Sequence, residues 1–266
     1  MSIRTFYQKL AGPLNIYTER MTEEKQLAAL VDRLKPVHSG HKLLRIGPGK
    51  DGGYLIPDDL GGIKHCFSPG VDCESDFEYD LAERGMHVYM ADASVAGPAR
   101  KHPNFHFEPF YVGSYSSADK WINFDTWCRS QVELESAGDL LLQMDIEGGE
   151  YEVIHNMSER LLKAFRIMVI EFHHLDRLAA ESNFGWMMRA LEKLLQNHAV
   201  IHIHPNNFFP TLRIRGLSIP PLMEFTFLRK DRLRPGMSKM VYPNPLDVDC
   251  VPEKPSVVLP ADWHGN

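Results

Sequence analysis

Between Leu43 and Arg229, short runs of β-branched and aromatic residues alternate with longer amphipathic stretches, and no other feature of the sequence restricts the fold as much. Runs such as DLLLQMD, RIMVIEF and AVIHIH are mostly apolar, as strands covered on both faces must be. Helical stretches between several of them, notably GGEYEVIHNMSERLLKAF and FGWMMRALEKLLQNH, supply the crossovers that parallel strands require. The pattern predicts an α/β domain with a Rossmann-like, mostly parallel sheet and helices on both faces. Its seven strands are read over IKHCFSPGV, HVYMAD, FHFEPFYVG, DLLLQMD, RIMVIEF, AVIHIH and LMEFTFLR. SDFEYDLAERG reads as a helix closed by Gly85. Ahead of the sheet, LLRIGPGKDGGYLIP reads as a hairpin, because Lys50, Asp51, Gly52 and Gly53 supply a turn between two apolar runs.

Residues 1–40 read as a helical extension. TEEKQLAALVDRLKPV sets Leu27, Leu30, Val31 and Leu34 at helical spacing, with Thr22 as N-cap and Glu23 and Glu24 where the helix dipole favours negative charge. These helices are open to two roles, a lid over an acceptor site or a contact in a homo-oligomer. The sheet with its hairpin takes residues 41–232. Residues 233–266 carry Pro235, Pro243, Pro245, Pro252, Pro255 and Pro260 and read as an extended, Pro-rich tail lying on the body or partly mobile.

At 266 residues with 44% hydrophobic and 10% aromatic content, disorder is excluded and one large domain suffices. No run reaches the roughly 18 apolar residues of a membrane span. The charged N-terminus lacks the apolar segment of a secretory signal, which makes the cytoplasm the expected location. Cys66, Cys73, Cys128 and Cys250 are widely spread and read as reduced thiols in core packing. With 29 Lys+Arg against 35 Asp+Glu, the net charge of −6 argues against a nucleic-acid partner. The most basic stretch, RLRPGMSK, reads as a solvated loop.

Ligands of open α/β sheets sit beyond the carboxyl ends of the strands, so the strand tips decide the chemistry. The first core strand ends in Ser68-Pro69-Gly70-Val71-Asp72, ahead of a helix whose free amides would face a ligand. Asp92 ends the second strand, some twenty residues on, where a carboxylate can accept ribose hydroxyls. The fourth ends in Asp145-Ile146-Glu147-Gly148-Gly149-Glu150, three carboxylates in six residues that need a cation or helix amides to offset their charge. Glu150 reads as a first-turn helix residue, and Asp145, at the strand tip, as the functional acid. The fifth and sixth strands end in Glu171-Phe172-His173-His174 and His202-Ile203-His204. Carboxylate and imidazole there can hold a divalent metal or act as general base.

DLLLQMDIEGGEYEVI followed by RIMVIEFHHLD resembles the signature of FkbM-type methyltransferases, a branch of the class I S-adenosylmethionine-dependent fold. RIGPGKDGGYLIP, CFSPGVDCESDFE and HVYMADAS resemble the hairpin, cofactor loop and ribose-binding strand of that family, and the likeness runs from about Arg45 to Arg229. Residue by residue, it implies Ser68, Gly70 and Asp72 at the methionine end of the cofactor and Asp92 at the ribose. It implies Tyr111 and Val112, up to Gly113, near the adenine, and Asp145 near the sulfonium. In place of the usual acidic-x-Gly-x-Gly loop stand Phe67, Ser68 and Pro69 before Gly70. By position, Asp145, Glu171 and His173 or His204 match the Mg²⁺ or Mn²⁺ ligands of some class I O-methyltransferases.

The expected activity is S-adenosylmethionine-dependent O-methylation of a saccharide, glycan or secondary-metabolite hydroxyl. His173 is expected as the base, with Asp145 beside it, and Tyr54, Trp186, Phe208 and Phe209 as candidate acceptor contacts. Two rivals stand beside this reading. A nicotinamide or nucleotide-sugar enzyme is suggested by Gly47, Gly49 and Gly52, but Tyr54-Leu55-Ile56-Pro57 follows as a strand where that fingerprint requires a helix. A non-catalytic ligand-binding module would leave the clustered acids without a purpose.

Overall fold

The structure is a computed structural model that describes Tyr7, residues 18–236 and residues 240–265. The helix expected before residue 18 lies outside the described residues apart from Tyr7, as does the end of the basic stretch at 237–239. Helix α1 (Glu24–Leu34) buries Leu27, Leu30, Val31 and Leu34, the spacing read from the sequence. Thr22 is not its cap. Glu23 takes that position, while the Thr22 hydroxyl is buried and donates to the Leu178 carbonyl at 2.6 Å, a bond to a distant segment that outcompetes the local one.

Strands β1 (Leu43–Ile46) and β2 (Tyr54–Pro57) form the expected antiparallel hairpin. The chain then runs β3 (His65–Pro69), α2 (Asp76–Glu83), β4 (His87–Ala91), β5 (Phe105–Glu108), β6 (Tyr111–Gly113), β7 (Trp121–Asn123), α3 (Phe124–Gln131), α4 (Leu134–Ala137) and β8 (Leu140–Met144). It continues through α5 (Glu150–Asn156), α6 (Glu159–Ala164), β9 (Phe165–Phe172), α7 (Glu181–Asn197), β10 (His198–Pro205), the ribbon β11 (Leu212–Ile214) and β12 (Leu217–Ile219), and β13 (Met223–Arg229). The main sheet has seven strands in the order β10-β13-β9-β8-β3-β4-β5, with β13 antiparallel to both its neighbours and the rest parallel.

The sheet grows outward from β3 to one edge and from β8 to the other. Strand order therefore reverses between β3 and β8, which makes their carboxyl ends the crevice where such sheets take ligands. One face packs Phe67, Met168, Phe172, Phe225 and Phe227 against α1, α3, α5 and α7, with Trp127 and Leu191 among the buried residues. The other packs Cys66, Val88, Leu141, Ile167 and Val169 against the hairpin and α2 through Ile46, Tyr54, Ile56, Phe77 and Leu81.

Three expectations are corrected in detail. FHFEPFYVG is two strands, because Pro109 has no amide for the ladder; β5 stays in the sheet and β6 pairs with β7 instead. GGEYEVIHNMSERLLKAF is two helices, parted at Ser158, whose side chain accepts from the Leu161 amide and caps the second. Cys73 is exposed, in the turn after Gly70, while the other three thiols are buried. Among its described residues the tail forms no strand, and fully buried Trp263, which donates to the Ser218 carbonyl at 2.8 Å, pins it to the body. Among the described residues no helix is long and apolar enough to cross a membrane.

Candidate active site

The crevice is built on Gly70 and Asp145, one at each tip of the switch-point strands. The Asp145 amide donates to the Pro69 carbonyl at 3.2 Å, tying the two tips together. Gly70 has φ +82°, and a Cβ there would lie 1.5 Å from the Asp145 carbonyl oxygen, so only glycine lets the backbones come this close. Two hollows meet over this contact, sharing Gly70, Asp72, Asp145 and Glu147. One, of about 380 Å³, runs along Asp92 and Ser94 to Tyr111, Val112 and Trp121. The other, of about 300 Å³, lies under the hairpin tip at Lys50, Asp51 and Gly52 and reaches Tyr54, Glu78 and Gln143.

Asp92 stands on the first hollow, and its carboxylate braces the glycine loop. One oxygen accepts from the Val71 and Asp72 amides at 3.1 and 2.9 Å, the other from the Ser94 amide and hydroxyl at 2.7 and 2.6 Å. Burial pushes its pKa up, but the Ser94 side chain and these amides outweigh that and hold it below the usual carboxylate value. Ser68 is fully buried one layer behind the second hollow, rather than on its wall. Its hydroxyl lies 2.5 Å from Glu78 and 2.6 Å from Gln143, and Gln143 donates to Tyr54 at 3.4 Å. A hydroxyl has one proton to give. Ser68 therefore shares that proton between the Glu78 and Gln143 oxygens, while burial pushes the pKa of Glu78 up to about 7 against the lowering effect of the Ser68 hydrogen bond.

At the tip of β8 the DIEGGE turn is tight, with Glu147 at φ +56° and Gly148 at φ +103°. Glu150 holds it together. This side chain has no exposure and accepts from the Ile146 and Gly148 amides at 3.2 and 3.0 Å, a larger role than that of an ordinary first-turn residue. His173, just past β9, is ringed by acids: Nδ1 lies 3.2 Å from Glu150, and Nε2 lies 3.3 Å from Glu147 and 3.8 Å from Asp145. Burial disfavours charge on this imidazole, but Glu150, Asp145 and Glu147 raise its pKa to about 9. Burial also pushes Asp145 up to about 7, with His173 opposing the rise and Glu150 and Glu147 adding to it. Asp145 Oδ1 is buried without a hydrogen-bond partner, on the wall between the two hollows.

On the other side of His173 lies a mainly apolar hollow of about 360 Å³, lined by Phe209, Pro210, Leu212, Pro221 and Leu222 together with His174 and Asp176. Of the aromatics expected around an acceptor, Phe209 is here and Tyr54 is in the second cofactor-sized hollow. Phe208 instead lies under the Lys254 ammonium, and Trp186 packs on Tyr151 and His155.

Asp145, Glu171 and His204, read from the sequence as one ligand set, are not brought together as one. Asp145 groups with Glu147 and His173, Glu171 with Asp51 and Glu224, and His204 with Glu224 and Cys250. The cause is β13, which inserts between β9 and β10 and puts Glu224 in register between Glu171 and His204. Sequence reasoning missed Trp121, Gln143 and Asp51 as walls of the two hollows and Glu224 as a member of the donor groups. Glu224 carried a signal, as an acid inside the apolar run LMEFTFLR. The others carried none, since their places depend on which elements pack together. A cavity of about 420 Å³ beneath the tail, beside His41, His202 and Tyr242, includes none of the strand-tip acids.

The chain fits a donor that joins a nucleoside to an amino acid through a cation. It offers two adjoining hollows, a backbone pressed flat at Gly70, and at their junction a buried carboxylate oxygen without a hydrogen-bond partner. The family model described as the methyltransferase FkbM domain matches residues 128–198, the segment that carries Asp145, Glu171 and His173. No curated protein matches the chain significantly. Among solved structures, it is similar to N-methyltransferase NodS from Bradyrhizobium japonicum WM9, with 11% identity, a TM-score of 0.34, and 77% of this chain and 96% of that one covered. It is similar also to the 1,6-didemethyltoxoflavin-N1-methyltransferase of Burkholderia thailandensis with bound S-adenosylhomocysteine, at 15% identity, a TM-score of 0.28, and 64% and 72% covered. At such low scores these two likenesses carry no weight. Strand order and the family match do.

Proposed function

We propose that this S-adenosylmethionine-dependent methyltransferase of the FkbM type methylates a hydroxyl of a small-molecule or glycan acceptor, with the acceptor oxygen presented at His173. The observation that carries this reading is the position of His173, between the Asp145 carboxylate at the junction of two hollows and an apolar hollow of about 360 Å³. S-adenosylmethionine supplies, when bound, a methyl group activated on a sulfonium cation. The loop at Gly70 and Asp72, braced by Asp92, would hold it, with Tyr111 and Val112 along one end and the Ser68 network behind the other. Asp145 would place a negative charge near the cation. The Phe209 side of His173 suits an acceptor with an apolar face, as many secondary metabolites and sugar rings have.

An alcohol is a poor nucleophile at neutral pH, so the site must align its oxygen and take its proton. His173 already holds a proton near neutrality, kept there by three carboxylates. With a cation held beside Asp145, those carboxylates would stabilise the His173 proton less, and Nε2 would be free to accept the acceptor proton. A metal-assisted form of the reaction is a second reading, favoured by the donor atoms of Asp145, Glu147 and His173 lying within 4.8 Å of one another. Isothermal titration of the chelator-stripped protein with S-adenosylmethionine, with and without Mg²⁺ or Mn²⁺ and with NADH as control, tests the donor assignment. Binding of NADH alone would sink it. S-adenosylhomocysteine release over a panel of hydroxylated acceptors then tests the reaction, and Phe209→Ala should raise the acceptor KM without changing donor affinity.

A further inference from the structure

On the hairpin side of the sheet lies a second group of donors, none of which lines the hollows around Gly70, Asp145 and His173. His204 on β10 and Glu224 on β13 are register partners, and the tail crosses over them at Cys250. A ring nitrogen of His204, a carboxylate oxygen of Glu224 and Cys250 Sγ all lie within 4.8 Å of one another. The three residues are buried, with 6%, 6% and 7% of their surface exposed. The His204 ring has no hydrogen bond at either nitrogen. Its nearest acid, Asp247, is 3.7 Å away and already accepts from His202 at 2.8 Å. The imidazole thus has an ion-pair contact but no hydrogen bond, and a buried ring whose nitrogens make none is costly unless a ligand satisfies them.

We propose that His204, Glu224 and Cys250 form a binding site for a divalent transition-metal ion of the Zn²⁺ class, which staples the C-terminal tail to β10 and β13. The donor set of imidazole, carboxylate and thiolate is one that zinc accepts, and it excludes Mg²⁺ and Ca²⁺, which take oxygen ligands. Charge balances: one thiolate and one carboxylate neutralise a dication, and neutral imidazole completes the set. Cys250 Sγ, which donates to Glu224 at 3.3 Å, gives up its proton to solvent as the metal–sulfur bond forms. Without a metal, burial and then the Glu224 charge hold that thiol protonated. Asp51 and Glu171 stand on the other side of Glu224, within 4.8 Å of it, and offer a fourth donor.

The test is metal analysis and cobalt substitution of the full-length protein. Wild type should retain about one zinc per chain through gel filtration, the expectation for a closed structural site. Exchange for Co²⁺ should give tetrahedral ligand-field bands and a near-ultraviolet thiolate-to-cobalt band. Cys250→Ser should lose the thiolate band, and His204→Gln should lose the tetrahedral bands. Asp145→Asn, at the other donor group, should keep both. Chelation should lower Tm in wild type and not in Cys250→Ser. The proposal is overturned if wild type retains no zinc or cobalt, or if bound Co²⁺ shows no thiolate band. It is equally overturned if the bands survive Cys250→Ser but vanish in Asp145→Asn. The wild-type spectrum decides even if the variants fold poorly.

Discussion

The imidazole of His173 and the carboxylate of Asp145 face each other across 3.8 Å, one against the apolar hollow at Phe209 and the other on the wall shared by the two hollows at Gly70. Glu147 and Glu150 complete the ring, so a single imidazolium offsets three acids. If His173 is the base, as proposed, its proton couples stability to activity.

That coupling has a definite sign. The pKa of His173 is raised from 6.5 to about 9, so the stabilisation it contributes is complete below 6.5 and lost as pH rises through about 9. Activity should move the other way, rising with pH as Nε2 becomes free to accept a proton. Thermal unfolding from pH 6 to 10 beside a pH–rate profile checks both halves. In His173→Gln the loss of Tm over that window should shrink and the rising limb of the rate should disappear. A rate profile unchanged by the substitution would remove His173 from the proton transfer.

Asp145→Asn should separate the charge of the donor from its shape. S-adenosylmethionine is cationic and S-adenosylhomocysteine is not, so the variant should lose roughly tenfold to a hundredfold in affinity for the first and little for the second, about 1.4–2.8 kcal/mol by the usual conversion. Titration of both ligands reads the difference. Equal losses would mean that Asp145 shapes the turn and does not sense the cation.

Gly70→Ala should abolish donor binding, because its Cβ would overlap the Asp145 carbonyl at 1.5 Å and the φ of +82° strains any L side chain. A stability loss of about 2 kcal/mol or more should accompany it, seen in urea unfolding. Retention of wild-type affinity would show that the two strand tips can part at little cost.

Far from the crevice, Arg166 at the start of β9 donates to Asp139 at 2.7 Å and to the Asp59 and Gly61 carbonyls at 2.7 and 2.8 Å, with only 6% exposure. Arg166→Met removes a buried cation from two acids and two carbonyls and should cost about 3 kcal/mol in chemical unfolding. Donor affinity of the folded protein should not change. A loss below about 0.5 kcal/mol would mean that Arg229 and Arg232, which also pair with these acids, suffice alone.

Most of the sheet was legible because burial on both faces writes itself into each strand as an unbroken apolar run, and a polar residue ending such a run marks a rim. The places of Gly70, Asp92, Asp145, Glu171, His173 and His204 at or beside the strand ends were legible that way, and the hairpin followed from a turn between apolar runs. Less was legible where a segment answers to a distant one. Thr22 looks like a cap and instead bonds Leu178, and the tail gave no sign that Asp247 and Cys250 would meet His202, His204 and Glu224.

The sequence by itself determined which stretches are strands and helices and which polar residues end the strands, because periodicity is a local property of the chain. Only the tertiary structure decided the neighbours. It placed β13 between β9 and β10, which set Glu224 in the row from Glu171 to His204 and divided one expected ligand set among three groups. Strand order is fixed by pairing between segments far apart in the chain, and a pattern that repeats every two or every 3.6 residues carries no record of it.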